Sequence, residues 1–293
     1  MTTTSAATLM RPLTRPLRRA VRFLNDWVHA PLPCRVCGAR TERRAAYGRV
    51  FNQCRDCDFI FAITYDEQES RDGMGLDGSW TGFGGGGFRE YYLARQMVDA
   101  LALPRVLLFG TGNTPTFAHL LEEGVDVSGC DISQDVVSLK QQLFGAARFM
   151  SPAQLPDAAS FDAIVAVEVI EHLLAPAATF AQLFALLRPG GVICGTTDCW
   201  PGGSLVDGNR PGYMSHLAHV AYWCERSLRR VADNYGYSVA LHEMVRPGSV
   251  LPDQRFGQLW PNKRVFFLFD KSVHGTYFDD LRVRQPILPI DRP

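Results

Sequence analysis

Net charge is what the chain lacks first: thirty Lys and Arg stand against thirty Asp and Glu in 293 residues. So balanced a molecule has no global field for nucleic acid or an anionic membrane, and any such attraction must be local. Long apolar runs are missing as well. None approaches the ~20 residues that span a bilayer, and the first residues lack the apolar core of a secretory signal. The expectation is a cytoplasmic protein. Acids are absent before Asp26, while Arg11, Arg15, Arg18, Arg19 and Arg22 all precede it. Cysteine is sparse, with eight residues, four scattered singly and four in two CxxC pairs. In a reducing compartment that distribution argues for a metal and against disulfides.

What is present is enough apolar material, 46% of the chain, for one large core with a small satellite. Residues 1–33 read as a basic tail followed by a short amphipathic helix, in which Leu17, Val21, Leu24 and Val28 recur at helical spacing. The helix is expected to pack on the protein's own body; the other reading is a peripheral contact with a membrane surface or a partner. Residues 34–65 hold Cys34-Arg-Val-Cys37, sixteen intervening residues, then Cys54-Arg-Asp-Cys57. Each CxxC turn aims two thiolates at one point, and four thiolates close a tetrahedron with no position left for water. Cys34, Cys37, Cys54 and Cys57 are therefore expected to hold a structural Zn2+ in a zinc ribbon, with residues 47–52 forming hairpin strands.

Residues 66–87 contain Gly73, Gly75, Gly78, Gly82 and Gly84 through Gly87, which reads as a linker or a mobile lid, with Trp80 and Phe83 able to pack on a neighbour. Helical character returns from Phe88 and ends at Pro104, with Tyr91 and Tyr92 at its start. From there strand and helix patterns alternate. A short apolar run from Val106 to Phe109 enters a turn with Gly110 and Gly112, a helix follows over residues 115–123, and a second strand ends on Asp131. Glycines there let backbone approach a ligand, and a carboxylate at the second strand's tip can accept bonds from two ribose hydroxyls. Further on come a helix from Ser133, a strand at residues 161–167, the turn Arg188-Pro189-Gly190-Gly191, a loop over residues 197–222 with His216 and His219, and a late strand at residues 265–269. The alternation predicts an open, doubly wound α/β sheet, mostly parallel and covered on both faces. The last twenty residues are expected to lie along the surface.

Residues 88–270 resemble a class I S-adenosylmethionine-dependent methyltransferase. FDAIVAVEVIEHL (residues 161–173) followed by LLRPGGVI (residues 186–193) carries the resemblance, and RSLRRVADNYGYSV (residues 226–239) extends it. The ribbon ahead of such a domain is similar to a subgroup that methylates nucleotide-linked sugars and natural-product intermediates. The resemblance implies a Rossmann-like seven-stranded sheet with S-adenosyl-L-methionine as cofactor. It implies that Gly110 and Gly112 meet the methionine part of the cofactor, that Asp131 binds its ribose, and that Ile132, Ser151 and Glu168 line its site. On the acceptor side it implies that Glu171 and His172 lie near the acceptor and that His219 lines its pocket; beyond the resemblance, His172 is expected to act as a base oriented by Glu171 or Glu168, with Tyr91 or Tyr92 closing the pocket. The chain departs from the pattern at Leu108, where many relatives have an acid, at Thr114, where they have a third glycine, and at Ser151, where an acid often meets the adenine. A small-molecule acceptor follows from this reading. Two others stay open: a noncatalytic module in which the basic ribbon (Arg35, Arg40, Arg43, Arg44, Arg49, Arg55) holds a partner or RNA, and an NAD-dependent oxidoreductase built on the same glycine turn.

Overall fold

A computed structural model describes residues 15–65, 85–102, 104–200, 211–243 and 263–281. Most of the glycine-rich stretch, including Trp80 and Phe83, and the residues beyond 281 lie outside the described residues. The first element is helix α1 (Arg15–His29). It docks through its single acid, Asp26, which is buried within the field of Arg49. The Phe23 and Trp27 rings stack, and the Arg43 guanidinium lies over Trp27. The stripe of Leu17, Val21, Leu24 and Val28 is consequently turned outward and exposed, which corrects the expectation that it packs on the body.

Strands β1 (Thr41–Ala46) and β2 (Arg49–Cys54) form an antiparallel hairpin, and β3 (Ile60–Ala62) adds to β2. Tyr47 and Gly48, expected within a strand, are instead the two-residue turn. Their positive φ values, 51° and 69°, match the twist that closes a tight hairpin.

Helix α2 (Gly85–Ala100) begins inside the glycine run and ends before Pro104. Then follow β4 (Val106–Phe109), α3 (Thr116–Glu122), β5 (Val127–Cys130), α4 (Gln134–Phe144), β6 (Phe149–Met150), β7 (Phe161–Val167), α5 (Pro176–Leu186) and β8 (Leu187–Asp198). Ser133 caps α4, its side chain accepting from the Val136 amide at 3.3 Å. The segment from Arg188 to Gly191, expected as a separate turn, is absorbed into the start of β8, where the register against β7 shifts between Phe161 and Ala163. The following loop contains a short helix, α6 (Pro211–Ser215), and a strand, β9 (Ala221–Tyr222). The chain continues through α7 (Glu225–Asp233), β10 (Ser238–Glu243), β11 (Lys263–Phe269), α8 (Lys271–His274) and α9 (Tyr277–Asp280). The last two helices run along the surface, as expected of the start of the last twenty residues, and a single ring, Phe278, is buried against Phe267 and Phe269.

The main sheet has the order β10-β11-β8-β7-β4-β5-β6. Pairs β4–β5, β4–β7, β5–β6 and β7–β8 are parallel, while β8–β11 and β10–β11 are antiparallel. The chain runs outward from β4 to β6 and then returns to build the other half from β7. The crevice between the carboxyl ends of β4 and β7 is thus the topological switch point at which such sheets take ligands.

A second sheet, β1-β2-β3-β9, joins the ribbon to this body, with Ile60 opposite Tyr222 and Phe61 opposite Ala221. The two parts share one core. Trp223 packs on Phe59 of the ribbon at 4.7 Å and on Phe180 of α5 at 5.5 Å, and its Nε1 donates to the Ile170 carbonyl at 2.8 Å. Arg49, 5% exposed, places Nη1 within 2.7–3.0 Å of the carbonyls of Met214, His216 and His219 and of the Tyr222 hydroxyl. Its Nη2 donates to the Thr64 carbonyl at 3.1 Å. Removing a buried cation from carbonyls that cannot be rehydrated costs several kcal/mol. Arg49→Met is expected to lower the unfolding free energy by about 3 kcal/mol in urea titrations; an unchanged midpoint would mean that the guanidinium does not tie ribbon to body.

Candidate active site

At the mouth of β4, Gly110 has φ of 72° and a Cβ there would stand 2.6 Å from the Val169 side chain, so only glycine fits. Gly112, φ 58°, has open space where its Cβ would be, and it presents bare backbone to the crevice. Its amide donates to Asp131 Oδ2, and the Ser133 amide to Oδ1, both at 2.8 Å. These two bonds hold the carboxylate at the tip of β5. Burial raises its pKa, and the amides oppose that shift. Ile132 beside it is 66% exposed, an apolar surface at the edge of the crevice. Ser151 caps the short turn Pro152–Gln154, with its hydroxyl 3.0 Å from Gln154 Oε1.

The carboxyl end of β7 supplies the opposite wall. Glu168 adopts a left-handed φ of 56°, receives the Thr196 hydroxyl at 2.5 Å and lies 3.8 Å from Arg89 of α2. The turn Ile170–His172 follows. Glu171, 1% exposed, accepts from the Thr197 hydroxyl at 3.0 Å, and its carbonyl accepts the Val220 amide at 2.9 Å. His172 places Nδ1 3.0 Å from the Ala218 carbonyl, and His219 places Nδ1 3.0 Å from the Tyr213 carbonyl. A carbonyl only accepts, so in each neutral ring the proton sits on Nδ1. The rings of His172 and His219 meet edge to face at 5.0 Å, with His216 stacked on His219 at 4.7 Å. Burial, with His172 next to it, pushes His219 down to about 3, which keeps it uncharged at neutral pH. Glu171, His172 and His219 are thus gathered although 47 positions separate the last two (172 to 219). Tyr91 does not join them, because its hydroxyl donates to Glu123 just beyond the C-terminus of α3.

The profile of the family described as a methyltransferase domain matches residues 86–242. The chain belongs to that family. It is an S-adenosylmethionine-dependent methyltransferase, which settles the choice against the NAD reading. No curated protein matches it. Among solved structures, it is similar to a Burkholderia thailandensis 1,6-didemethyltoxoflavin-N1-methyltransferase with bound 1,6-didemethyltoxoflavin and S-adenosylhomocysteine, at 18% identity and TM-score 0.47 over 79% of this chain and 99% of that one. It is also similar to a chain from the complex between the Haloferax volcanii Trm112 methyltransferase activator and a methyltransferase, at 15% identity and TM-score 0.47 over 69% of this chain and 96% of that one.

The ribbon of this methyltransferase brings its four sulfurs together. Cys34 and Cys57 Sγ are 3.7 Å apart, Cys37 and Cys54 3.5 Å, and Cys37 and Cys57 3.6 Å. A tetrahedral zinc ion with bonds of ~2.3 Å separates its sulfurs by about 3.8 Å, so the cluster has the size the ion needs. Amides of Val36, Asp56 and Cys57 point at the sulfurs from 3.4 Å, which favours thiolates. The Cys57 thiol beside Cys34 lowers the latter to about 5.

Sequence reasoning missed one residue of the methyltransferase crevice. Glu90 of α2 is buried under the glycine turn, where its Oε2 accepts the hydroxyls of Thr111 at 2.9 Å and Thr114 at 2.8 Å. Lys140 of α4 donates to the Thr114 carbonyl at 2.9 Å. Leu108, where the resemblance implied an acid, is fully buried in the core. The sequence signal for Glu90 was faint: an acid among apolar residues in a helix, with no pattern to link it to Thr111 and Thr114.

Burial raises Glu90 from the ordinary 4.5 to about 7, against the pull of the threonine hydroxyls and Lys140. The folded state therefore holds this proton more tightly than the unfolded chain. Its contribution is fully present below pH 4.5 and is lost as pH rises to about 7. The size is at most about 3 kcal/mol. Urea titrations at pH 5 and pH 8 are expected to show that decline in wild type and to lose it in Glu90→Gln; an equal decline in both would assign it elsewhere.

Proposed function

We propose that this methyltransferase moves the methyl group of S-adenosyl-L-methionine onto an oxygen of a small-molecule acceptor, of the kind found in nucleotide sugars, glycans and natural-product intermediates. The observation that supports an oxygen is the cluster of buried Glu171 with half-buried His172 and His219 beyond the carboxyl end of β7. Methyl transfer from a sulfonium is an in-line displacement that needs no acid, but a hydroxyl acceptor must lose its proton. A fixed imidazole beside a carboxylate suits that need. In this reading Gly110, Gly112 and Asp131 hold the methionine and ribose parts of the cofactor, Ile132 covers the adenine, and Ser151 and Glu168 border the site. His172 takes the acceptor's proton, oriented by the Ala218 carbonyl, while His219 packs the pocket as a neutral ring. Glu90 takes over from the missing strand acid by bracing the glycine turn through Thr111 and Thr114.

Four cysteines at tetrahedral spacing support a structural zinc ion in residues 34–65, ahead of a methyltransferase domain at residues 88–270. The noncatalytic RNA-binding reading loses most of its support in the ribbon, where five of the six arginines are engaged within the protein. Arg44 and Arg55 both pair with Glu42, Arg35 lies over Phe61, Arg43 over Trp27, and Arg49 is buried. The outward apolar stripe of α1, flanked by Arg19 and Arg22, supports a peripheral contact through that helix.

Calorimetry is expected to show binding of S-adenosylhomocysteine and none of NAD. Asp131→Ala should weaken the former at least tenfold, the loss of a charged hydrogen bond. His172→Ala should keep that affinity while turnover of a hydroxyl acceptor falls about a hundredfold or more; binding of NAD in place of S-adenosylhomocysteine would overturn the reading. A zinc chelator is expected to lower the thermal midpoint by several degrees, since the ion closes a long loop of chain. An unchanged midpoint after complete metal removal would show the ribbon to be held by its core alone.

A further inference from the structure

We infer that Glu171, His172 and His219 form a binding site for a first-row divalent cation on the acceptor side of the cofactor crevice. Three observations carry this. One ligand-type atom of each side chain, an imidazole nitrogen of His172 and of His219 and a carboxylate oxygen of Glu171, lies within 4.8 Å of the others. Each imidazole has its Nδ1 directed at a main-chain carbonyl, of Ala218 for His172 and of Tyr213 for His219, which leaves Nε2 as the lone-pair nitrogen in both. That is the arrangement in which a histidine acts as a metal ligand, its second nitrogen fixing tautomer and ring angle. The carboxylate, too, is oriented from behind, by the Thr197 hydroxyl at 3.0 Å.

The two segments that supply these groups are fastened before any ion arrives. The Val220 amide donates to the Glu171 carbonyl at 2.9 Å, Trp223 Nε1 to the Ile170 carbonyl at 2.8 Å, and Arg49 gathers the carbonyls of His216 and His219. Bonds of ~2.1 Å to a cation place its ligands about 3 to 3.5 Å apart, so the side chains rotate toward one another as the site closes. Two imidazoles with one carboxylate select Mn2+, Fe2+, Co2+ or Zn2+ over Mg2+ and Ca2+, which prefer all-oxygen sites. The three ligands leave coordination positions for an acceptor.

The role of the ion deepens the methyl-transfer reading and rests on it; its binding does not. An acceptor hydroxyl bound through oxygen is acidified by the cation and loses its proton to water. The oxygen then forms its bond to the methyl carbon as the carbon–sulfur bond breaks, and that electron pair stays on sulfur. His172 serves in this scheme as a ligand, and the cation does the work otherwise assigned to an imidazole base.

The test uses the full-length protein loaded with a single equivalent of zinc, which the four thiolates take, and titrated with Mn2+ alone, followed by loss of the free-ion electron paramagnetic resonance signal. Saturable binding is expected, weakened at least tenfold in His219→Ala and in Glu171→Gln, with His172→Gln as a further variant should either fail to fold. S-adenosylhomocysteine affinity is measured in parallel and should stay within twofold in the folded variants. Absence of saturable Mn2+ binding, or equal affinity in wild type and variants, overturns the cation site. If S-adenosylhomocysteine still binds in that case, the methyltransferase reading stands without it. Mn2+ binding without S-adenosylhomocysteine binding would keep the site and remove the role given to it.

Discussion

The carbonyls of Met214, His216 and His219 and the hydroxyl of Tyr222 all converge on one guanidinium nitrogen of Arg49. They belong to residues 211–222, which lead into β9 and supply His219, one of the three acceptor-side residues. A segment of this length would ordinarily sample many conformations, at an ordering cost of about 1 to 2 kcal/mol per residue. Here the ribbon sets its shape. Arg49 comes from β2, β3 pairs with β9, and Trp223 fills the space between Phe59 and the turn that presents Glu171 and His172. The cysteine cluster fixes the ribbon, the ribbon fixes the loop, and the loop fixes His219 relative to His172.

The cofactor side is held by a different device. Buried carboxylates at two levels brace the glycine turn: Asp131 through the Gly112 amide, and Glu90 through Thr111 and Thr114. A desolvated acid is costly unless hydrogen-bonded, and both are. Glu90 explains how a strand with leucine at position 108 can still end in an ordered turn, since the bracing group comes from the helix packed across it.

Much was legible without coordinates where the physics is local. The CxxC spacing announces four convergent sulfurs because each turn is built from adjacent residues. The runs at Val106–Phe109 and Phe161–Val167 are nearly unbroken apolar stretches, as strands buried on both faces must be. Gly110, Gly112 and Asp131 are brought together by the fold, while Tyr91, at the helix start beside the glycine run, points to Glu123 instead. The α1 stripe misled for a related reason: amphipathicity says that a helix has an apolar side, and not which side finds a partner.

The sequence by itself determined the alternation of strands and helices, the glycine turn with its acid, the cysteine quartet, and through them the family. Each is built from patterns within one turn or element, joined across no more than one hairpin or one strand–helix–strand unit. Only the tertiary structure decided that the ribbon shares a core and a sheet with the domain, that Glu90 braces the cofactor turn, and that His219 meets His172. Those contacts join residues 21 to 173 positions apart, and their geometry is set by how whole elements pack, which no short-range pattern encodes.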